Sequence, residues 1–210
     1  MESSSYFAAI LGHSFISRAE RSIHHLLSNH RLVGNGNFKI EGKGGMKFGG
    51  PKYETAIQNL AEATAQTNLP VVVIVFLGDN DIFKKNSDSF ADPETKNLHQ
   101  ATMDWLQKLL DIRSALNASK IYLVGPAVRR GRPNYNGTLE VVDFLMHRLT
   151  RCLKWVTYLT RENRGGRDPR DLSRDDIHPR VETYNAWIYD YINLSLDYMD
   201  AYMISQNSTE

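Results

Sequence analysis

A single cysteine, Cys152, stands in the 210 residues, so no internal disulfide can form and no cysteine-built zinc site is available. Long apolar runs are also missing: nothing approaches the roughly 18 residues that cross a bilayer. The start, Met1-Glu2-Ser3-Ser4-Ser5, puts no basic flank before its apolar residues, and Tyr6 to Leu11 is too short for a signal core. These absences point to an intracellular, cytoplasmic protein. They also mark the four Asn-x-Ser/Thr sequons, at Asn117, Asn136, Asn193 and Asn207, as chance matches. Charge of one sign is lacking too. Lysine and arginine number 25 against 24 aspartates and glutamates, which gives no general pull toward nucleic acid or membrane. No internal repeat, low-complexity segment or domain boundary is visible. A hydrophobic content of 41% supports one globular domain over residues 1–210, its last few residues a disordered tail.

Strand-like and helix-like stretches alternate along the chain. Tyr6 to Leu11 reads as a strand ending at Gly12. Ser17 to Asn29 carries Ala19, Ile23, Leu26 and Leu27 at helical spacing. Asn37 to Glu41 is a short strand running into the glycine loop Gly42-Lys43-Gly44-Gly45. Tyr53 to Thr67 is a helix with Pro51 just upstream as a start signal. Val71 to Leu77 is apolar on both faces, as a central parallel strand between two helix layers should be. Helices are expected over Pro93 to Leu116, Thr138 to Leu153 and Val181 to Ile204, with strands at Lys120 to Val124 and Trp155 to Leu159. This repeat argues for a five-stranded parallel sheet with helices on both sides, a flavodoxin-like three-layer α/β/α sandwich.

Ligands in such folds bind at the carboxyl ends of the strands. Gly12-His13-Ser14 follows the first strand, the glycine loop the second, and Gly78-Asp79-Asn80-Asp81 the third. A fourth piece, Asp175-Asp176-Ile177-His178-Pro179, precedes the last helix. Together they offer a hydroxyl nucleophile, an amide donor and a carboxylate–imidazole pair, the parts of an acyl-transfer site. Each piece has a plainer reading. Ser14 can be a helix cap, Gly78 to Asp81 a turn, and Asp175 to Pro179 a helix start. The other histidines (His13, His24, His25, His30, His99, His147) read as surface or packing residues rather than ligands. Cys152 reads as helix packing beside Leu149 and Leu153, and Tyr191, Tyr198 and Met199 as core and partner contacts.

On these residues the chain resembles the SGNH (GDSL-like) hydrolases, esterases and lipases on a three-layer sheet. Ser14 matches the nucleophile of their first block, Gly45 or Gly44 the oxyanion glycine of the second, Gly78-Asp79-Asn80-Asp81 the Gly-x-Asn-Asp of the third, and Asp175 with His178 the final Asp-x-x-His. The four matches run in order over nearly the whole chain. The run Gly12 to Ile16, with Gly125-Pro126, Arg129-Arg130 and Tyr135-Asn136, is also similar to esterase-like domains encoded beside reverse transcriptases in animal retrotransposons. The resemblance implies a triad of Ser14, His178 and Asp175. It implies an oxyanion hole from the Asn80 side chain and the backbone N–H groups of Gly45 and Ser14, with Asp81 bracing the loop that aims Asn80. A small ester or lipid-like substrate is expected, with no metal and no cofactor. One position departs: His13 stands where the family has aspartate. The aspartate braces its loop through hydrogen bonds, and histidine can make one such bond. The departure keeps a second reading open, a binding or assembly module on the same fold with a weakened site. A flavin- or phosphate-binding flavodoxin-like domain is the weaker third reading, because His13-Ser14-Phe15-Ile16-Ser17 lacks glycine to cradle phosphate.

Overall fold

The computed structural model describes residues 6–31, 33, 36–82, 97–126, 133–160 and 181–207. Five strands form one parallel sheet: β1 (Phe7–Gly12), β2 (Phe38–Gly42), β3 (Val71–Phe76), β4 (Ala118–Val124) and β5 (Val156–Leu159), in the order β2-β1-β3-β4-β5. Helices connect them: α1 (Ser14–Ser28), α2 (Pro51–Thr64), the short α3 (Asp79–Ile82), α4 (Leu98–Ala115), α5 (Pro133–Thr150) and α6 (Val181–Asn207). None of the described helices is long and apolar enough to cross a membrane.

The two faces of the sheet follow from the two-residue alternation of a strand. Ala9, Leu11, Val73, Val75, Ile121 and Leu123 pack on one side with residues of α2, α4 and α5. Ala8, Ile10, Val72, Ile74, Tyr122 and Val124 pack on the other with residues of α1 and α6. Both faces are covered, so β1 and β3 are buried at every position. The expected fold class is the one observed.

Element ends differ from the sequence expectation where capping decides. The first helix begins at Ser14 rather than Ser17, because the His13 side chain serves as its N-cap, and Phe15 and Ile16 are already buried on its inner face. For the fourth helix Asn97 sets the start at Leu98, its side chain accepting from the Gln100 N–H at 3.1 Å. The fifth helix begins at Pro133, a position where the missing N–H costs nothing, and ends at Thr150. Cys152 therefore lies beyond the helix and is exposed, not packed as its spacing from Leu149 suggested. Of the aromatic and sulfur residues in α6, Tyr191 and Met199 are in the core, whereas Tyr198 is exposed.

Candidate active site

Strand order fixes where a cleft can form. The direction of winding reverses between β1 and β3, so the connections leaving those two strands diverge to opposite faces and open a crevice at their carboxyl ends. Gly12 is in register with Phe76 on one side and with Gly42 on the other. The segments after β1, β2 and β3 thus leave the sheet side by side.

Hydrogen bonds tie these segments to one another. The Lys43 N–H donates to the Gly12 carbonyl at 3.1 Å, and the His13 N–H to the Phe76 carbonyl at 3.3 Å. Asn80 donates from Nδ2 to the Met46 carbonyl at 3.2 Å, while the Phe48 N–H donates to Asp81 Oδ1 at 2.9 Å. Asp81 was expected to brace the loop that aims Asn80. Its bond to the Phe48 N–H and that of Asn80 to the Met46 carbonyl hold the segment just after the glycine loop against the end of β3.

Ser14 is the first residue of α1 and is partly buried. That position places it among the N-terminal N–H groups of a helix, where the aligned peptide dipoles favour negative charge. The serine is not the cap. His13, only 5% exposed, accepts through Nδ1 from the Phe15 N–H at 3.5 Å, and the same Nδ1 lies 3.4 Å from Ser14 Oγ. Accepting requires a lone pair on Nδ1, which puts the proton of the neutral ring on Nε2. Against Phe15 the imidazole packs with ring centroids 4.7 Å apart. His13 is thus bonded to the first turn of α1.

The second loop turns at Gly44 and Gly45. A bond from the Met46 N–H to the Lys43 carbonyl at 3.1 Å closes the turn, and Gly45 takes φ +71, a region that glycine enters without penalty. Lys52 Nζ holds the Gly44 carbonyl at 2.6 Å. Among the described residues no acceptor takes the Gly45 N–H. The same holds for the Gly44 N–H, so both glycines of the turn keep a backbone donor to offer.

Beneath the third loop lies a feature that sequence patterning missed. Gly78 sits at φ +120, and a Cβ there would meet the Trp105 ring at 2.5–2.9 Å. Trp105, buried in α4, also packs 6.1 Å from Phe48, which in turn lies 5.9 Å from Tyr53. One aromatic thus supports both the Asn80 turn and the glycine loop. Burial, with the Asp111 and Asp81 charges adding, pushes the Tyr53 phenol above its ordinary range. A glycine directly after an apolar strand was the signal for close approach; its partner 27 residues on carried none. Asp175 and His178 lie outside the described residues.

The chain matches no protein-family model and no curated protein. Among solved structures it is similar to a catalytic mutant of Axe2, an acetylxylan esterase from Geobacillus stearothermophilus, at 11% identity and a TM-score of 0.62, covering 93% of this chain and 96% of that one. It is also similar to the C-terminal catalytic domain of OatA, a peptidoglycan O-acetyltransferase of Streptococcus pneumoniae, at 14% identity and a TM-score of 0.56, covering 92% and 93%. A third is the lipase Lip_vut3 from a goat rumen metagenome, at 14% identity and a TM-score of 0.56, covering 91% and 97%. Likeness at these identities establishes architecture: with its five parallel strands between two helix layers, the chain has the SGNH hydrolase fold.

Proposed function

We propose that this chain is a serine esterase that cleaves carboxylic esters through an acyl-enzyme on Ser14. The observation that carries the reading is that the segments bearing Ser14, Gly45 and Asn80 leave the carboxyl ends of neighbouring strands, tied first to second by Lys43–Gly12 and third to second by Asn80–Met46 and Asp81–Phe48. The similar structures include an esterase, a lipase and an O-acetyltransferase. For Axe2, a serine-to-alanine change near the start of that chain is described as a catalytic mutation.

A serine hydroxyl is a weak nucleophile until a base takes its proton. In this reading His178 is that base: it accepts the Ser14 proton as Oγ attacks the ester carbonyl, then returns it to the departing alcohol. Asp175, three residues earlier, holds the imidazole in the useful tautomer and stabilises its cation. Negative charge on the carbonyl oxygen is met by Asn80 Nδ2 and by the N–H groups of Gly45 and Ser14. One such donor is worth roughly 10²–10³ in turnover. Water attacks the acyl-enzyme by the same route in reverse, and the cycle uses no metal or cofactor. The substrate class is a small or lipid-like ester.

Labelling with a fluorophosphonate probe tests nucleophile activation without knowledge of the substrate. Wild type should label and Ser14→Ala should not. Hydrolysis of short-chain p-nitrophenyl esters should disappear in Ser14→Ala and fall about equally in His178→Ala, the double variant losing little more, because the residues act as a unit. Unchanged turnover in Ser14→Ala would sink the nucleophile assignment. One observation favours the alternative binding module. Ser14 Oγ lies 3.4 Å from His13 Nδ1, a neighbour that would compete with His178 for the hydroxyl proton. Wild-type protein that fails to label with the probe would favour that module.

A further inference from the structure

We propose that the groove along the outer edge of β5 is an anion site that binds a small phosphate-bearing ligand. Nothing in the esterase reading uses this groove. β5 pairs only with β4 among the described strands, so the sheet ends there and the layers of α5 and α6 stand apart across its edge. The space between them is about 600 Å³, within the range of small-ligand pockets. Its basic residues, Lys120, His147, Arg151 and Lys154, cluster toward the amino-terminal ends of β4 and β5, opposite the rim that carries Ser14.

Three features separate this groove from an ordinary solvated face. First, the signs are one-sided: among the described residues no carboxylate lines it, and no acidic residue occurs in the sequence between Asp143 and Glu162, in a chain whose net charge is only +1. Asp143 itself accepts the Tyr158 hydroxyl at 2.6 Å. Second, among the described residues no carboxylate pairs with His147, Arg151 or Lys154. A basic residue in the last turn of a helix complements its dipole, which accounts for His147, but Arg151 and Lys154 lie beyond the end of α5. Third, one cation is built into the wall. Lys120 is only 9% exposed, donates to the Lys154 carbonyl at 2.7 Å and lies 5.7 Å from the centre of the Tyr122 ring. Burial lowers the pKa of its amine, and an anion beside it would act in the opposite direction, favouring the charged form.

Phosphate fits this lining better than a carboxylate does. Arginine presents a planar fork to phosphate oxygens, lysines supply point charge, and the Thr157 hydroxyl offers a neutral donor at the same groove, the Thr150 hydroxyl being spent on the Met146 carbonyl at 2.8 Å. The groove's size suits a nucleotide-sized or smaller molecule rather than a protein face.

The test is a calorimetric titration of the full chain with inorganic pyrophosphate at fixed ionic strength, with sulfate, hexaglutamate and a short single-stranded oligonucleotide as comparison ligands. Pyrophosphate should bind saturably and more tightly than sulfate or hexaglutamate. Arg151→Gln, a change at an exposed residue, should weaken it by roughly tenfold, the loss of one charge-assisted pair. Lys154→Gln should weaken it as well, and both variants should keep wild-type fluorophosphonate labelling. No saturable binding, equal affinity for sulfate, preference for hexaglutamate or the oligonucleotide, or pyrophosphate binding indifferent to Arg151→Gln would each overturn the proposal.

Discussion

Replacing Gly78 by alanine should damage both stability and the proposed site, by an amount the structure allows to be worked out. The new Cβ would stand 2.5 Å from Trp105 Cη2, 2.7 Å from Cζ2 and 2.9 Å from Cζ3, where carbon atoms normally keep about 3.5–4.0 Å. Trp105 is only 3% exposed and is held against Phe48, so it has little room to retreat. Overpacking of this kind costs about 1–3 kcal/mol. A non-glycine residue held at φ +120 adds strain of about 1–3 kcal/mol. The sum, about 2–6 kcal/mol, is a large part of the 5–15 kcal/mol that stabilises a typical domain. At roughly 2–4 °C per kcal/mol for a chain of this size, even the low end lowers Tm by about 4–8 °C. Asn80, two residues on, should lose its aim, so ester hydrolysis should fall by more than the folded fraction accounts for. Pairing the change with Trp105→Leu separates the two causes. Space opened at Trp105 removes the clash and leaves the backbone strain, so the double variant should lose less than the sum of the singles. Circular dichroism melts and p-nitrophenyl ester rates read both effects. An unchanged Tm and rate in Gly78→Ala, or strictly additive losses in the cycle, would refute the reasoning.

Two further outcomes follow from the hydrogen-bond network. Asp81→Ala removes a charged acceptor from the Phe48 N–H, a bond worth about 1.5–3 kcal/mol, and should lower turnover by loosening the glycine loop. Asp81→Asn keeps an acceptor oxygen and should recover part of the rate; equal losses in both would show that the loop clamp is not what matters. At the far end of the sheet, Tyr6 donates to Asp200 Oδ1 at 3.2 Å, fastening α6 to the start of β1. Burial, then the Asp200 charge, pushes the Tyr6 phenol well above its ordinary range. A raised native value means the stability from Tyr6 is fully present below pH about 10, where unfolded tyrosine begins to ionise, and drains away as pH rises further. Tyr6→Phe should therefore cost about 1.5 kcal/mol near neutral pH, the low end for a charged acceptor, because Asp200 is only partly buried. The gap between the two proteins in denaturant melts should shrink above pH 10, and a gap independent of pH would contradict it.

The architecture was legible because burial on both faces writes itself into the strands. Val71 to Phe76 carries no polar residue at all, and the glycines at the ends of β1 and β2 sit where the helix layer presses on the sheet. A Cβ at Gly42 would lie 2.5 Å from the Ser17 backbone nitrogen. Of the candidate site, the residues that follow strands were legible for the same reason: strand ends are easily seen, and parallel order brings them to one rim. What sequence could not supply were partners distant along the chain. Trp105 under Gly78, Phe48 on Asp81 and Tyr6 on Asp200 are separated by 27, 33 and 194 positions and leave no periodic trace. Helix ends were missed for a local reason. A histidine cap stands outside the usual set of serine, threonine, aspartate and asparagine, so patterning placed the start of α1 three residues late.

His13 joins these threads. An aspartate at that position would cap the helix with a negative charge, a favourable arrangement worth about 0.3–1 kcal/mol at a helix amino terminus. The imidazole keeps the cap and gives up the charge: Nδ1 still accepts from the Phe15 N–H, and the ring still fills a buried site against Phe15. In the proposed reaction, negative charge grows on an oxygen held near the Ser14 and Gly45 N–H groups. A carboxylate one residue from the nucleophile opposes that growth, and an imidazole brings no negative charge to oppose it. The replacement therefore trades some rigidity of the first loop for a weaker repulsion of the developing oxyanion.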